Sequence, residues 1–362
     1  MPTCTAMLAD VLDRPWTILQ EVLPGCVPGL ELLGPAAALE PAARGRPMKG
    51  SGESIRFGSI GSLAVHRPDL VVCQGFGLRT VQAAAYRCLR RQTRMLLLTQ
   101  ASVPRRWTLS QLLLRRADAV LATGETAARA IRRLGIPAAR VFTVPEAEPP
   151  DLAPFLSGPA RRAGPAAYRL IYAGELTPRA GVADFLLCAA AWAERHQDRP
   201  LEIWWAGDGD LRGVLETQPL PANMSLRFLG EGASPTLAAA FAECGLLVIP
   251  SHSPAGANWI IQAMAAGLPV IGSVRCHTVM DLVASGETGW VFDPLAPGGM
   301  TAAFDRAFHA DEAALDAMRE AARARARAVS AQDFAGRVTS AVAAALFEGT
   351  RAGAGARKGG GA

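Results

Sequence analysis

Short apolar runs alternate with amphipathic stretches along most of the chain. From about Pro68 to Pro145, "PDLVVCQGFG" reads as a strand entering a glycine turn and "VQAAAYRCLRRQ" as a helix. "RMLLLTQ" follows as a buried strand, "TLSQLLLRRA" as a helix and "DAVLATG" as a third strand. "ETAARAIRRLG" reads as a helix that stops at Gly135, and "ARVFTVPEA" as a fourth strand. Strands and helices in strict alternation predict a parallel sheet with helices on both faces.

The pattern fades over Glu146–Ala166, where Pro, Gly and Ala crowd together, so residues 149–166 read as a linker. It restarts at "YRLIYAGEL". A helix "GVADFLLCAAAWAERHQ" follows, then the strands "LEIWWAGDGD" and "MSLRFLGE" and the helix "TLAAAFAEC". Next come the strand "GLLVIPS", the helix "ANWIIQAMAAG", the strand "PVIGS", the helix "HTVMDLVASG" and the strand "GWVFD". The chain has 362 residues, about twice the usual domain size, so two domains are expected. Their bounds read as 1–148 and 167–330, followed by a C-terminal helix over 331–349 and a Gly-rich, basic, disordered tail over 350–362.

The beginning departs from the pattern. Such a domain normally opens on a strand, whereas here "TAMLADVLDR" reads as helix and "WTILQEV" as strand. Either the first strand is missing or the true start lies upstream. Residues Gly34 to Gly58 read as loop.

Composition narrows the function classes. Net charge is +5, carried by arginine clusters at Arg87/Arg90/Arg91/Arg94, Arg105/Arg106, Arg115/Arg116 and Arg132/Arg133. These can steer anionic ligands, rest peripherally on an anionic membrane, or simply form solvated helix faces. No aromatic platform or recognised motif accompanies them, which argues against nucleic acid. The seven cysteines are odd in number, scattered and without CxxC spacing, which predicts reduced, mostly buried thiols in a cytoplasmic protein and no metal site. No apolar run reaches membrane-span length, and Asp10, Asp13 and Arg14 interrupt any signal-peptide core.

The candidate chemistry lies in the second half. Gly174, then Gly207, Asp208 and Gly209, then Gly230, then Ser251 each follow a predicted strand. Open parallel sheets bind ligands there, at the carboxyl ends of their strands. After Ser251 comes the small-residue loop Pro254, Ala255, Gly256, Ala257, leading into a helix that Asn258 can cap. A helix start after such a loop suits a diphosphate, and Gln262 lies one turn on along the same face.

Here the sequence resembles the retaining glycosyltransferases of the GT-B fold, specifically the family 4 group. That family usually reads P-S-x-x-E-x-x-G-x-x-x-x-E-A-M-A-x-G-x-P-V-I. The chain keeps Pro250, Ser251, Ala263, Met264, Ala265, Gly267, Pro269, Val270 and Ile271. Phe228–Gly230, Gly207–Gly209 and "DLVASGETG" (Asp281–Gly289) agree as well, and "LLLRRADAVLATGETAARAIRRLGIPAARVFTVP" resembles the family's acceptor domain. The resemblance spans most of Arg67 to Gly349. It implies two Rossmann-like domains facing across a cleft. The donor would be a nucleoside-diphosphate sugar, held without any further cofactor or metal. The acceptor would be a glycan, a lipid-linked molecule or a small molecule, and transfer would retain configuration.

The departures are specific. The two motif carboxylates fall on Pro254 and Gln262, so the donor-sugar contact is lost and the ribose contact keeps only a neutral amide. The family's "G-R-L-x-x-x-K-G" is "GELTPRAG", with Glu175 and Ala180 at the positions of the two cations that neutralise the leaving diphosphate. Arg179 and Gln262 are the candidate catalytic side chains, Arg179 standing one residue before the lost lysine. Loss of one electrostatic stabiliser typically slows a reaction about a hundredfold or more. Either other residues such as Arg275, His252 or His277 supply charge, or the chain is a degenerate transferase that binds and regulates an active partner in a polysaccharide pathway. A third class, a sugar-nucleotide epimerase, needs carboxylates and histidines that have no evident place in this chain.

Overall fold

The computed structural model describes residues 4–10, 30–35, 59–99, 109–144, 152–156, 168–230, 234–253, 259–329 and 331–348. The chain forms two compact units, one of Met1–Glu148 with Ala331–Ala362 and one of Pro149–Ser330.

The first unit holds strands β1 (Cys4–Asp10), β2 (Leu30–Pro35), β3 (Leu70–Gln74), β4 (Arg94–Thr99), β5 (Ala119–Thr123) and β6 (Val141–Val144). All pair in parallel, in the order β2-β1-β3-β4-β5-β6. Helices α1 (Ser59–His66), α2 (Leu78–Leu89), α3 (Leu109–Arg116) and α4 (Gly124–Arg133) connect them. Alternate residues serve opposite faces: Val71 and Cys73 pack with Tyr86, Leu113 and Ile131, while Leu70 and Val72 face the other way. A strand covered on both faces must be apolar throughout, which explains the unbroken runs in the sequence.

Over residues 5–10 the helix expected at "TAMLADVLDR" is corrected by β1, which supplies the opening strand; residues 11–14 lie outside the described residues. Seven apolar-rich residues fit a helix turn or a strand equally well by local pattern. Pairing with β2 on one edge and β3 on the other decides for strand, because each edge satisfies a row of backbone groups. Gly34 and Pro35, expected in a loop, end β2. "WTILQEV", residues 36–58 and the tail 350–362 lie outside the described residues.

The second unit contains β7 (Arg169–Ala173), β8 (Leu201–Ala206), β9 (Met224–Gly230), β10 (Leu246–Ile249), β11 (Val270–Ser273) and β12 (Gly289–Phe292). They form a parallel sheet in the order β12-β11-β10-β7-β8-β9. Its helices are α5 (Ala153–Leu156), α6 (Val182–Arg195), α7 (Arg212–Glu216), α8 (Ser234–Glu243), α9 (Trp259–Ala265), α10 (His277–Leu282), α11 (Gly299–Phe308) and α12 (Glu312–Ala328). One face buries Trp192, Trp205, Phe185 and Phe304, the other Trp204, Phe241, Ile260 and Met264. Helix α5 lies within the segment read as linker, yet Phe155 is buried there, its ring 5.9 Å from that of Phe241. The chain then returns to the first unit as α13 (Ala331–Ala343). There Val338, Ala341 and Val342 cover Leu70, Val72, Leu96, Leu98 and Leu121.

The strand order of the second unit positions a site. From β7 the chain steps outward to β8 and β9. It then comes back to lay β10 on the opposite edge of β7 before stepping outward again. The helices that follow β7 and β10 therefore pack on opposite faces of the sheet, the arrangement beside which open parallel sheets bind ligands.

Candidate donor site at the strand-order reversal

Above the carboxyl ends of β7 and β8 lies a pocket of about 270 Å³, lined by Gly174, Glu175, Ala206, Gly207, Asp208, Leu237 and Trp259. Its floor is two loops joined by backbone hydrogen bonds. Gly174 N donates to Ala206 O at 2.9 Å, Leu176 N to Asp208 O at 2.8 Å, and Leu211 N to Leu176 O at 3.0 Å. Gly207 makes this contact possible. Its φ is +152°, and a Cβ there would lie 1.9 Å from the Gly174 carbonyl oxygen. The Tyr172 hydroxyl donates to Glu175 O at 2.8 Å and pins the β7 loop from below. Burial, then the charge of Glu175 and then Cys276 push the phenol pKa far up, so it stays protonated as a donor.

The charges around the pocket are unequal in their engagement. Asp208 is held by its own loop, its Oδ1 accepting from Gly209 N at 2.7 Å and its Oδ2 from Arg212 at 3.1 Å. Glu175 is exposed, lines the pocket and has no ion-pair partner among the described residues. Ala180 packs half-buried against the core of the unit, whereas Arg179 beside it is exposed. The cation of this turn thus stands in solvent at position 179, and position 180 faces inward.

After β10, Ser251 Oγ lies 3.1 Å from both the N and the O of Ser253, forming a tight turn. Pro254, Ala255, Gly256, Ala257 and Asn258, expected to seat the diphosphate, lie outside the described residues. Gln262 is 7% exposed in α9, and its Oε1 has no hydrogen-bond partner among the described residues. It is not part of the pocket lining. Gly230 ends the edge strand β9 and bridges to Gly207. His277 opens α10 half-buried, and burial lowers its pKa while Asp281 raises it. Arg275 is exposed. His252, considered as a supplier of charge, is engaged with a carboxylate: its Nε2 lies 2.6 Å from Asp184 Oδ2.

Tyr172, Leu237, Trp259 and Asp184 were not singled out in the sequence. Only Trp259 had a usable signal there, an aromatic residue directly after the loop expected to bind ligand. Among the described residues no three His, Cys, Asp or Glu side chains gather as metal ligands would, and no helix is long and apolar enough to cross a membrane.

Residues 167–309 match the family described as glycosyl transferases group 1. No curated protein matches the chain. Among solved structures, Anabaena HepE in complex with UDP-glucose is 16% identical with a TM-score of 0.62, over 96% of this chain and 99% of that one. Sucrose-phosphate synthase from Thermosynechococcus elongatus is 18% identical with a TM-score of 0.63, over 97% and 100%. The lipopolysaccharide outer core galactosyltransferase WaaB is 14% identical with a TM-score of 0.66, over 93% and 98%. The fold is GT-B, with two Rossmann-like parallel α/β units.

Proposed function

We propose that the chain is a glycosyltransferase whose second unit binds a nucleoside-diphosphate sugar and passes the sugar, with retention, to a glycan, lipid-linked or small-molecule acceptor. The observation that carries this reading is the pocket at the carboxyl ends of β7 and β8, beside the reversal of strand order, floored by glycine turns. The group 1 match over the same unit and the UDP-glucose complex of a similarly folded protein support it. In this reading the glycines at 174, 207 and 209 let the loops of the pocket floor pack together beneath the ligand, and Gly230, with open space where a Cβ would stand, admits the ligand to the backbone. Residues Ser251 and Pro254–Asn258 border the diphosphate, Gln262 serves the ribose, and Arg179 is the cation that meets developing charge on the leaving group.

A second reading has a specific observation behind it. Glu175 puts a carboxylate in the pocket where a diphosphate needs a cation, and Ala180 is turned into the core. Both favour a degenerate transferase that binds and regulates rather than turns over. Calorimetry of the full chain against UDP, GDP, ADP and their sugar conjugates tests the site. Tight binding with slow donor hydrolysis or transfer supports an enzyme. Binding without any turnover favours the regulatory reading, and no binding removes the donor site and leaves only a non-catalytic relative.

The same proposal places the protein in the cytoplasm, with peripheral contact to an anionic membrane through the first unit. There Leu89, Leu109 and Leu112 are exposed beside Arg91 and Arg115. Arg87 and Arg94 are excluded from that role, since both are bound to Asp118. Failure to float with phosphatidylglycerol vesicles would remove this part.

A further inference from the structure

The turn that follows β7 and the loop that follows β10 border the strand-order reversal, and three contacts fasten them together. At Gly181, φ is +72°, and a Cβ would lie 2.2 Å from the Pro250 carbonyl oxygen, so the α6 entry is pressed onto the end of β10. His252 N donates to Arg179 O at 3.0 Å. His252 Nε2 meets Asp184 Oδ2, on the first turn of α6, at 2.6 Å.

The third contact is unusual in its setting. The side chains are 31% and 59% exposed, and an exposed pair adds little to global stability. Its effect is local. It joins residues 68 apart in sequence and holds the backbone of the one turn that carries Arg179. The Arg179 guanidinium is exposed and has no ion-pair partner among the described residues, so it is available to an anion.

We propose that Asp184 and His252 are a positioning pair: they hold the Arg179 turn against the start of the β10–α9 loop, so that Arg179 is presented to the diphosphate of a bound nucleotide. This rests on the nucleotide-sugar reading above. Neither residue touches the ligand; both act through the turn. Their loss is therefore felt by the diphosphate part of the ligand and not by its nucleoside.

The test is calorimetry of the full-length chain with UDP, GDP and ADP and with the three matching nucleosides. For the base that binds, Asp184→Ala and His252→Ala each weaken the diphosphate by about fivefold to tenfold, with the nucleoside within about twofold of wild type. The double variant is no weaker than the weaker single one, because both substitutions release the same turn. His252→Gln retains near wild-type affinity, since its amide can donate to the same carboxylate. Thermal unfolding confirms that each variant is folded. Parallel weakening of nucleoside and diphosphate, additive effects in the double variant, or unchanged diphosphate affinity overturns the proposal and leaves the donor-site reading standing. A wild-type chain that binds none of the six ligands overturns both.

Discussion

Single residues decide how close the two loops of the pocket come. Gly207→Ala places a methyl group inside the Gly174 carbonyl and is expected to destabilise the second unit by about 3 kcal/mol or more. Gly230→Ala is the matched comparison. Its φ is +69° but nothing lies within 4 Å, so only about 1 kcal/mol of backbone strain is expected. Five of the seven tryptophans lie in residues 149–330, so urea melts followed by tryptophan fluorescence resolve the difference. Glu175→Arg is expected to tighten UDP binding about tenfold by replacing repulsion with a charge-assisted hydrogen bond. Ala180→Lys is expected to add less, because position 180 packs against the core; calorimetry separates the two substitutions. His277 gives a pH dependence. Burial lowers its pKa below the ordinary 6.5, so the unfolded chain takes up a proton before the folded one does. That contribution to stability is present above pH 6.5 and is lost as pH falls below it. His277→Gln should flatten the acid limb of the urea midpoint between about pH 7.5 and 5.5.

At the scale of elements, α9 is held from its far end. Arg323 of α12 is 6% exposed and donates to Ala266 O at 3.4 Å and to Glu320 at 2.7 Å. Helix α9 begins directly after the loop expected to seat the diphosphate, so this anchor also sets where that loop ends. Arg323→Ala removes a buried cation and leaves the carbonyl uncovered, and is expected to lower the unfolding free energy by about 2–4 kcal/mol in the same urea melts. Most elements were legible from periodicity alone, because a buried parallel strand and an amphipathic helix leave different patterns. Cys4–Asp10 was not, since its run is short and its strand character comes from partners at residues 30–35 and 70–73. The glycine turns were legible by type and spacing. Tyr172 was not, because its hydroxyl acquires a role only when the β7 loop folds back over it.

For the whole molecule, the path of the chain matters more than any one element. Each of the two sheets is packed on both faces, and α13 returns to cover one face of the first, where Arg337 donates to Thr143 O at 3.0 Å. Val338→Asp would bury a carboxylate under Leu96 and Leu121, at an expected loss of about 3 kcal/mol or more. Hydrogen exchange should then show lower protection in β3 to β6. Full protection of those strands in the variant would mean that α13 is dispensable to the first unit.

The alternation of apolar runs and amphipathic helices, written in neighbouring residues, was enough to determine two parallel α/β units with glycine turns after the strands of the second. That information is local: a strand buried on both faces and a helix buried on one are each visible within about ten residues. The tertiary structure decided what depends on distant partners: that β1 is a strand, that α13 belongs with the first sheet, that Ala180 faces the core while Arg179 faces solvent, and that His252 is bound to Asp184. Each is a contact between segments far apart in sequence, and its energy exists only once the backbone has brought them within hydrogen-bonding or packing distance.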